Sequence, residues 1–496
     1  MKKRLLTVLL AVCLVLALGT VSALAADTLP DPVGDVITLT DNVVLSRGVT
    51  IASGDEIAID LNGYSITLSD DSSSTLVFNV MENATLTIDD SVGGGRVYAP
   101  HTVIQVRNSG TLVINGGIID NTNTDYNDAG FTITNFGNIE MNGGTVQGIS
   151  AIIVQDPGRT LQAWAGGTAR FDMNGGEVIG IPAITANDDG YIGASYGVNL
   201  IGPGLTNSDV TSVDNSKVCV NINGGTIRAI QGICTNASSG AYAGFTLNVT
   251  DGTINGTDEG TAMYLPGIGN TTISGGTITG AQGIRIASGE LNITGGEIIS
   301  TAGGDIDDII AGGSGGTNGA LVIGKAGTGY VGDLIVNVSG TASIQNTSGE
   351  GNPTAIFVTD KTMENAAYAD TVIDVNVEDV SIEGNVVRAS NLSGSGTDNK
   401  SDTTALNMTD VKVFGDVINQ SESGGMTVDN SVVNGAVTVS GGNGTIAVLN
   451  SSVESKSDSG VILVNTSVGG SEPTTDVGGN VAIVDGVGYT TLASAI

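Results

Sequence analysis

Carboxylates supply most of the reactive side chains in this sequence. Its 496 residues include 51 Asp and Glu, 17 Lys and Arg, and a single His. Carboxylate oxygens are the ligands that Ca²⁺ prefers. The acidic group Asp305, Asp307 and Asp308 is the first candidate for calcium, and the pair Asp188 and Asp189 is the second. The alternative is that these are solvated acidic turns, because none shows the 12-residue calcium-loop spacing. Neither interpretation requires a cofactor.

Aromatic side chains form a second candidate site. Trp164 is the only Trp, and Tyr191, Tyr196 and Tyr242 follow it in segments rich in Gly, Asn and Asp. Aromatic faces interspersed with carboxylates suit the stacking of sugar rings. These four residues are therefore the candidate carbohydrate-binding set. The alternative is that the rings only fold their loops down onto the body of the protein.

The charge balance excludes one class of partner. The formal net charge is -34, whereas phosphate-backbone binding requires a basic face. We therefore expect no nucleic acid partner. A single His also removes most His-based catalysis and zinc chemistry.

The first residues are typical of an export signal. Lys2, Lys3 and Arg4 precede an apolar run that ends at Leu18, and Ala23-Leu24-Ala25 has the small-x-small cleavage pattern. This predicts a signal peptide over residues 1–25 and a secreted protein, extracellular or at the cell surface. We expect no transmembrane segment, since the run is too short to span a bilayer.

An internal repeat predicts the elements that position these side chains. Seven segments share alternating apolar residues, a small polar residue, and Gly-Gly or Asp-Gly. The repeats end at Gly117, Gly144, Gly176, Gly225, Gly252, Gly276 and Gly296. Strand patterning at a recurring register indicates a solenoid of β-coils. We predict an all-β fold, a right-handed parallel β-helix with coils of about 20–27 residues.

Two further patterns support this prediction. In the C-terminal half, Met408, Val428 and Val448 recur every 20 residues, and so do Asp410, Asn430 and Asn450. Asn and Gly at these turns provide the positive φ angles of tight corners. A row of Asn at one turn predicts a hydrogen-bonded stack with a structural role: Asn115, Asn142, Asn174 and Asn223.

The opening repeats carry a family resemblance. The segments Ile59-Asp60-Leu61-Asn62-Gly63-Tyr64 and Ala84-Thr85-Leu86-Thr87-Ile88-Asp89-Asp90 resemble coils of the pectate-lyase-like right-handed β-helix superfamily. The chain is similar to large secreted β-helix surface proteins of Gram-positive anaerobes. These motifs imply architecture and not activity.

Catalytic motifs of related hydrolases are incomplete. Asn123-Thr124-Asp125, Asp188-Asp189 and Arg285-Ile286-Ala287 follow the order of polygalacturonase segments, but Ala287 replaces a Lys. His101 precedes all of them. Glycosidase carboxylates lie roughly 5–10 Å apart, whereas we expect Asp125, Asp188 and Arg285 on separate coils. We assign no catalytic residue, and an enzyme would be a polysaccharide lyase or glycoside hydrolase.

The domain organisation follows the repeats. Residues 26–300 form a β-helix with Gly-Gly repeats and lateral loops, and residues 301–480 continue its coils. Three loops after the third strand of consecutive coils are expected to form one lateral surface: Gln155–Ala169, Asn187–Lys217 and Asn236–Gly244. Residues 481–496 begin a capping helix or a further module, with Tyr489, Leu492 and Ile496 on one stripe.

The leading functional hypothesis is a non-enzymatic surface protein, an adhesin or cell-envelope stalk. The alternative is a carbohydrate-binding β-helix whose partner is an acidic polysaccharide or a host or cell-surface glycan. A disulfide between Cys219 and Cys234 stays open at this stage.

Overall fold

A computed structural model places most of the chain that follows residue 27. It describes residues 28–31, 36–128, 130–184, 195–204, 213–235, 242–303, 319–324, 332–349, 353–359, 372–389, 404–421, 424–440, 444–457, 459–476, 482–484 and 487–489. The predicted signal peptide lies outside these residues. Within them, no helix is both long enough and apolar enough to cross a membrane.

The chain winds through three parallel β-sheets, one strand per sheet in each coil. Strands β19 (Val218–Cys234) and β20 (Thr246–Leu265) pass through all three sheets, and β21 (Asn270–Gly280) and β23 (Gly289–Ser300) pass through the first two. Near the C-terminal end, β35 (Val432–Val439) continues from the second sheet into the third, and β38 (Val461–Val468) continues from the first into the second. The first sheet also contains β1 (Val36–Thr38), β4 (Glu56–Asp60), β7 (Thr85–Asp89), β10 (Thr111–Ile114), β13 (Asn138–Met141), β16 (Ala169–Met173), β25 (Leu334–Val338), β28 (Ile373–Glu378), β31 (Thr404–Thr409), β34 (Gly425–Asp429), β36 (Thr445–Leu449) and β38 (Val461–Val468).

The other two sheets repeat this stacking. The second contains β2 (Val43–Leu45), β5 (Ser65–Leu68), β8 (Arg96–Ala99), β11 (Ile118–Asn121), β14 (Thr145–Gly148), β17 (Glu177–Gly180), β26 (Ser343–Asn346), β29 (Ser381–Glu383), β32 (Lys412–Val413), β35 (Val432–Val439) and β37 (Ser452–Lys456). The third contains β3 (Val49–Ile51), β6 (Phe78–Val80), β9 (Ile104–Val106), β12 (Phe131–Asn135), β15 (Ser150–Gln155), β18 (Tyr196–Ile201), β22 (Gln282–Ile286), β24 (Gly319–Ile323), β27 (Thr354–Thr359), β30 (Asn385–Ala389) and β33 (Val417–Gln420). The all-β parallel solenoid predicted from the repeats is confirmed.

Inward side chains stack in register along the whole axis. The residue three positions before each repeat Gly pairs with its equivalent in the next coil, and all of them are buried. The stack runs Ile37, Ile59, Ile88, Ile114, Met141, Met173, Ile222, Val249, Ile273, Ile293, Val338, Val377, Met408, Val428, Val448, Leu463. Burial of these apolar rows is the main favourable contribution to folding.

The predicted Asn stack forms at the turn between the first and second sheets. Asn142 Nδ2 donates to Asn115 Oδ1 at 3.0 Å, Asn174 donates to Asn142 at 2.9 Å, and Asn223 donates to Asn174 at 3.0 Å. Asp89 accepts from Asn115 at one end of this ladder. The adjoining glycine must adopt a left-handed conformation: Gly144 has φ +73°, and a Cβ there would lie 2.7 Å from the Gly117 carbonyl oxygen.

The structure corrects the position of one insertion. The segment Asn187–Lys217 does not form a single loop after the third strand, because it includes strand β18. In four of the repeats an Ile stands eight residues after the last Gly, as Ile152 and Ile184 do, which predicts a third-sheet strand at Ile184. Val198 of β18 pairs with Ile152 and occupies that inward position. Ile184 is 71% exposed instead. Extra residues therefore enter this coil at two corners, before and after its third strand.

The C-terminal end departs from the parallel pattern. Strand β39 (Thr474–Asp476) pairs antiparallel with β38, and β40 (Ala482–Val484) forms a hairpin with β41 (Val487–Tyr489). Tyr489 thus lies in a strand and not on the expected helical stripe. Leu492 and Ile496 lie outside the described residues.

Candidate functional site

Loops from consecutive coils contact one another at the corner between the third and first sheets. We call residues 156–168, 202–204 and 213–217 with Tyr242 the corner loops. Arg159 Nη1 donates to the Gly202 carbonyl at 3.2 Å, and Lys217 Nζ donates to the Ala165 carbonyl at 3.3 Å. The first loop contains a short helix α1 (Pro157–Thr160) and a 3-10 turn (Gln162–Trp164). These contacts join the loops into one lateral surface.

Trp164 packs inward from this surface. It is 8% exposed, its ring centroid lies 5.9 Å from that of Phe136, and the Arg107 guanidinium lies 5.6 Å from it. Phe136 and Arg107 belong to earlier coils. The Trp164 ring therefore holds its loop against the solenoid. This is the alternative role that the sequence suggested for the aromatic side chains.

The tyrosines of the candidate set lie on different corners. Tyr242 is half-buried beneath the Arg159 guanidinium, 4.9 Å from its ring centroid. Tyr196 begins β18, and its hydroxyl lies 3.3 Å from the Tyr126 hydroxyl, at the corner between the second and third sheets. Tyr191 lies outside the described residues. The structure thus does not bring Trp164 and Tyr196 together, and their sugar-binding role stays a prediction.

The acidic groups proposed for calcium also fall outside the described ranges. This holds for Asp188, Asp189, Asp305, Asp307 and Asp308. Across the residues whose positions are described, no three His, Cys, Asp or Glu side chains are grouped to hold a metal ion. Calcium binding therefore stays a prediction.

One carboxylate in the corner loops is buried. Asp156 is 5% exposed, and burial raises its pKa above the usual 3.8, although the nearby Gly158 and Arg159 amides and the charge of Lys217 oppose that shift. Its Oδ1 has no hydrogen-bond partner. Asp156 is the first residue of this loop, and burying its carboxylate lowers the stability of the folded state because the charge loses its hydration.

The residues that resemble hydrolase segments do not converge. Asp125 lies in the loop before β12, whereas Arg285 lies on β22, which follows β12 by five coil steps in the third sheet. At ~4.8 Å per step these coils are roughly 24 Å apart. The expectation of separate coils is confirmed for this pair, and Asp188 lies outside the described residues.

The two cysteines among the described residues, Cys219 and Cys234, are both free thiols. Cys219 lies on the outer face of the first sheet and is half-buried, whereas Cys234 is fully buried on the outer face of the third. Cys234 Sγ contacts Asn199 Oδ1 at 2.9 Å. Their positions on different sheets exclude a bond between them.

Sequence reasoning missed a polar groove at the corner between the second and third sheets. It has a volume of about 440 Å³ and is lined by Thr75, Leu76, His101, Thr102, Gln105, Asp128 and Gly130. Its residues come from three successive coils about 26 residues apart and belong to no repeat. The one available signal was the only His of the chain, within a short polar loop.

Comparison with known proteins adds no family. A scan against protein-family models and searches of curated proteins and solved structures found no match to this chain.

Proposed function

We propose that this chain is a secreted, non-enzymatic β-helix surface protein that acts as an adhesin or cell-envelope stalk. One observation carries the proposal: the inward stack is continuous from Ile37 to Leu463. About fifteen steps of ~4.8 Å give a rod of roughly 70 Å. Such a rod separates its two ends and presents side chains at regular intervals along its length.

The outer surface supports the same proposal. Its side chains form polar ladders, such as Asn337 donating to Asn292 at 2.9 Å and Asn376 donating to Asn337 at 3.3 Å. A net charge of -34 favours solubility for a long rod and opposes edge-to-edge association. The N-terminal signal pattern accounts for export.

A second candidate function is binding of acidic polysaccharide at the corner loops. One feature favours it: Arg107, Arg159 and Lys217 lie on this corner although the chain has few cations. Uronate carboxylates are complementary to guanidinium and ammonium groups. Calcium bridging at the predicted acidic groups would add to this affinity.

One experiment separates the candidates. The purified protein is incubated with polygalacturonate, with Ca²⁺ or with chelator, and bound protein and newly formed chain ends are measured in the same tube. The surface-protein proposal expects no new ends. Appearance of new ends would overturn it in favour of a lyase or hydrolase. Binding that Arg159→Gln weakens would establish the second candidate, and binding lost under chelator would indicate calcium.

A further inference from the structure

The polar groove lies on the opposite side of the third sheet from the corner loops. Three loops form it: residues 69–77 before β6, residues 100–103 before β9, and residues 122–128 with Gly130 before β12. The backbone connects them, since Val77 N donates to Val103 O and Val103 N donates to Thr132 O, both at 2.9 Å. The groove therefore spans three coils along the rod axis.

Its lining is rich in hydrogen-bonding groups of both kinds. Asp128 and His101 are exposed at the rim, and Gln105 presents its amide from the outer face of β9. Thr75 and Thr102 add hydroxyls, and Leu76 is the one large apolar side chain. Mixed donors and acceptors around one apolar contact suit a ligand with many hydroxyls and a C–H face.

The walls of the groove are held in place before any ligand binds. Three successive side-chain turns brace the Asp128 loop: Asn121 Oδ1 accepts from Asn123 N, Asn123 Oδ1 from Asp125 N, and Asp125 Oδ1 from Asn127 N. Tyr126 packs against Ile149 and Ala183. Preorganised loops lower the entropic cost of binding.

The groove opens onto a row of accessible polar side chains. Gln105 pairs in register with Asn79 on one side and Thr134 on the other, and all three are partly exposed on the outer face of the third sheet. Adjacent members are ~4.8 Å apart along the axis. An extended chain of sugar residues can therefore run along the rod and meet one polar group per coil.

The charge of the groove favours neutral saccharides over acidic ones. Asp128 is the only carboxylate in the groove lining, and the whole protein is strongly acidic. A uronate carboxylate would be repelled here, whereas neutral sugar hydroxyls can donate to the Asp128 carboxylate.

We propose that this groove binds a neutral oligosaccharide, with Asp128 and Gln105 accepting and donating hydrogen bonds to its hydroxyls. The groove lining shares no residue with the corner loops or with their acidic-polysaccharide candidate. This inference rests on the proposed adhesin function, and it names neutral oligosaccharide as the receptor that the adhesin recognises.

The test titrates the full chain with hexasaccharides of cellulose, mannan and xylan, and with hexagalacturonate, by calorimetry. Asp128→Asn and Gln105→Ala are compared with Asp55→Asn, an exposed Asp on another turn, and circular dichroism checks that each variant folds. We expect saturable binding of at least one neutral probe. Loss of a hydrogen bond to a charged group should weaken it about tenfold or more in Asp128→Asn, and Asp55→Asn should bind as the parent does.

The opposite results would overturn the proposal. They are binding of none of the neutral probes, hexagalacturonate binding that Gln105→Ala weakens, or affinity for the neutral probe unchanged in both groove variants. Hexagalacturonate binding that Arg159→Gln weakens and Asp128→Asn leaves intact would support the corner-loop candidate, and the neutral probes then decide the groove.

Discussion

Two stretches of the outer face of the third sheet occupy the same register and differ in burial. In the N-terminal coils this row reads Asn79, Gln105 and Thr134, all partly exposed. Further along it reads Asn199, Cys234, Tyr264, Arg285, Val322, Phe357 and Val387, all buried. The inward rows are mostly apolar, although one row of the third sheet also contains the buried Asn135, Arg388 and Asn419. The outer row changes more along the axis, and its open stretch is where a ligand has access.

The rate of thiol labelling should show the largest difference between accessible and buried side chains on the outer faces of the sheets. Cys234 is 0% exposed, so its labelling requires local opening, whereas Cys219 is half-buried. Burial raises the pKa of both thiols, so both reactions should accelerate as the pH rises. We expect Cys219 to react with iodoacetamide at least about 100-fold faster, measured by peptide mapping. Equal rates would mean that the third sheet is open at Cys234.

Truncation at equivalent positions should give the next largest difference. Phe357 is 1% exposed and packs with Val322, Val387 and Ala389 in a cluster outside the main core. Phe357→Ala should lower the free energy of unfolding by about 3–5 kcal/mol. Gln105→Ala, in the open stretch of the same row, should change it by less than about 0.5 kcal/mol. Urea denaturation measures both, and similar losses would contradict the distinction between the two stretches.

The Asn ladder is a row of exposed side chains whose hydrogen bonds stabilise the fold. Asn174 both donates to Asn142 and accepts from Asn223. Asn174→Asp removes the donor and places a carboxylate against the Asn142 carbonyl oxygen, so the free energy of unfolding should fall by about 1 kcal/mol. Asp89→Asn is the control, because the end of the ladder needs only an acceptor there. Equal effects of the two substitutions in urea denaturation would mean that the ladder contributes no directional bonding.

The contrast between rows also marks what could be predicted from sequence. Inward positions repeat every coil, so Ile114, Met141 and Met173 predicted the register directly. The outer row of the third sheet and the corners on either side of it carry no such repeat. For this reason the sequence pattern gives Ile184 a strand position that Val198 occupies, and it groups Tyr196 with Trp164. The groove was missed because Thr75, His101 and Asp128 meet only through the stacking of three coils.

The smallest predicted effect compares two carboxylates whose pKa shifts have opposite signs. Burial raises the pKa of Asp156 above 3.8 in the folded state. Burial also acts on Asp60, but hydrogen bonds from Ser91 and from the Asn62 amide outweigh it and lower the pKa. If the pKa of a group is higher in the folded state than in the unfolded state, the folded state loses stability as the pH rises through the interval between the two values. If the folded-state pKa is lower, the folded state loses stability as the pH falls through that interval.

Replacing each carboxylate by an amide should therefore change stability in opposite directions. At pH 7, Asp156→Asn should be more stable than the parent, because the substitution removes a buried charge and keeps the shape of the side chain. Asp60→Asn should be less stable, since its bonds from Ser91 at 2.7 and 2.9 Å lose their charge assistance. Both differences should shrink as the pH falls, because each parent carboxylate is then protonated. Thermal denaturation midpoints of the parent and the two variants between pH 3 and pH 7 measure these differences. Changes of the same sign would contradict the inference that burial of the Asp156 carboxylate destabilises the fold whereas the Asp60 carboxylate stabilises it.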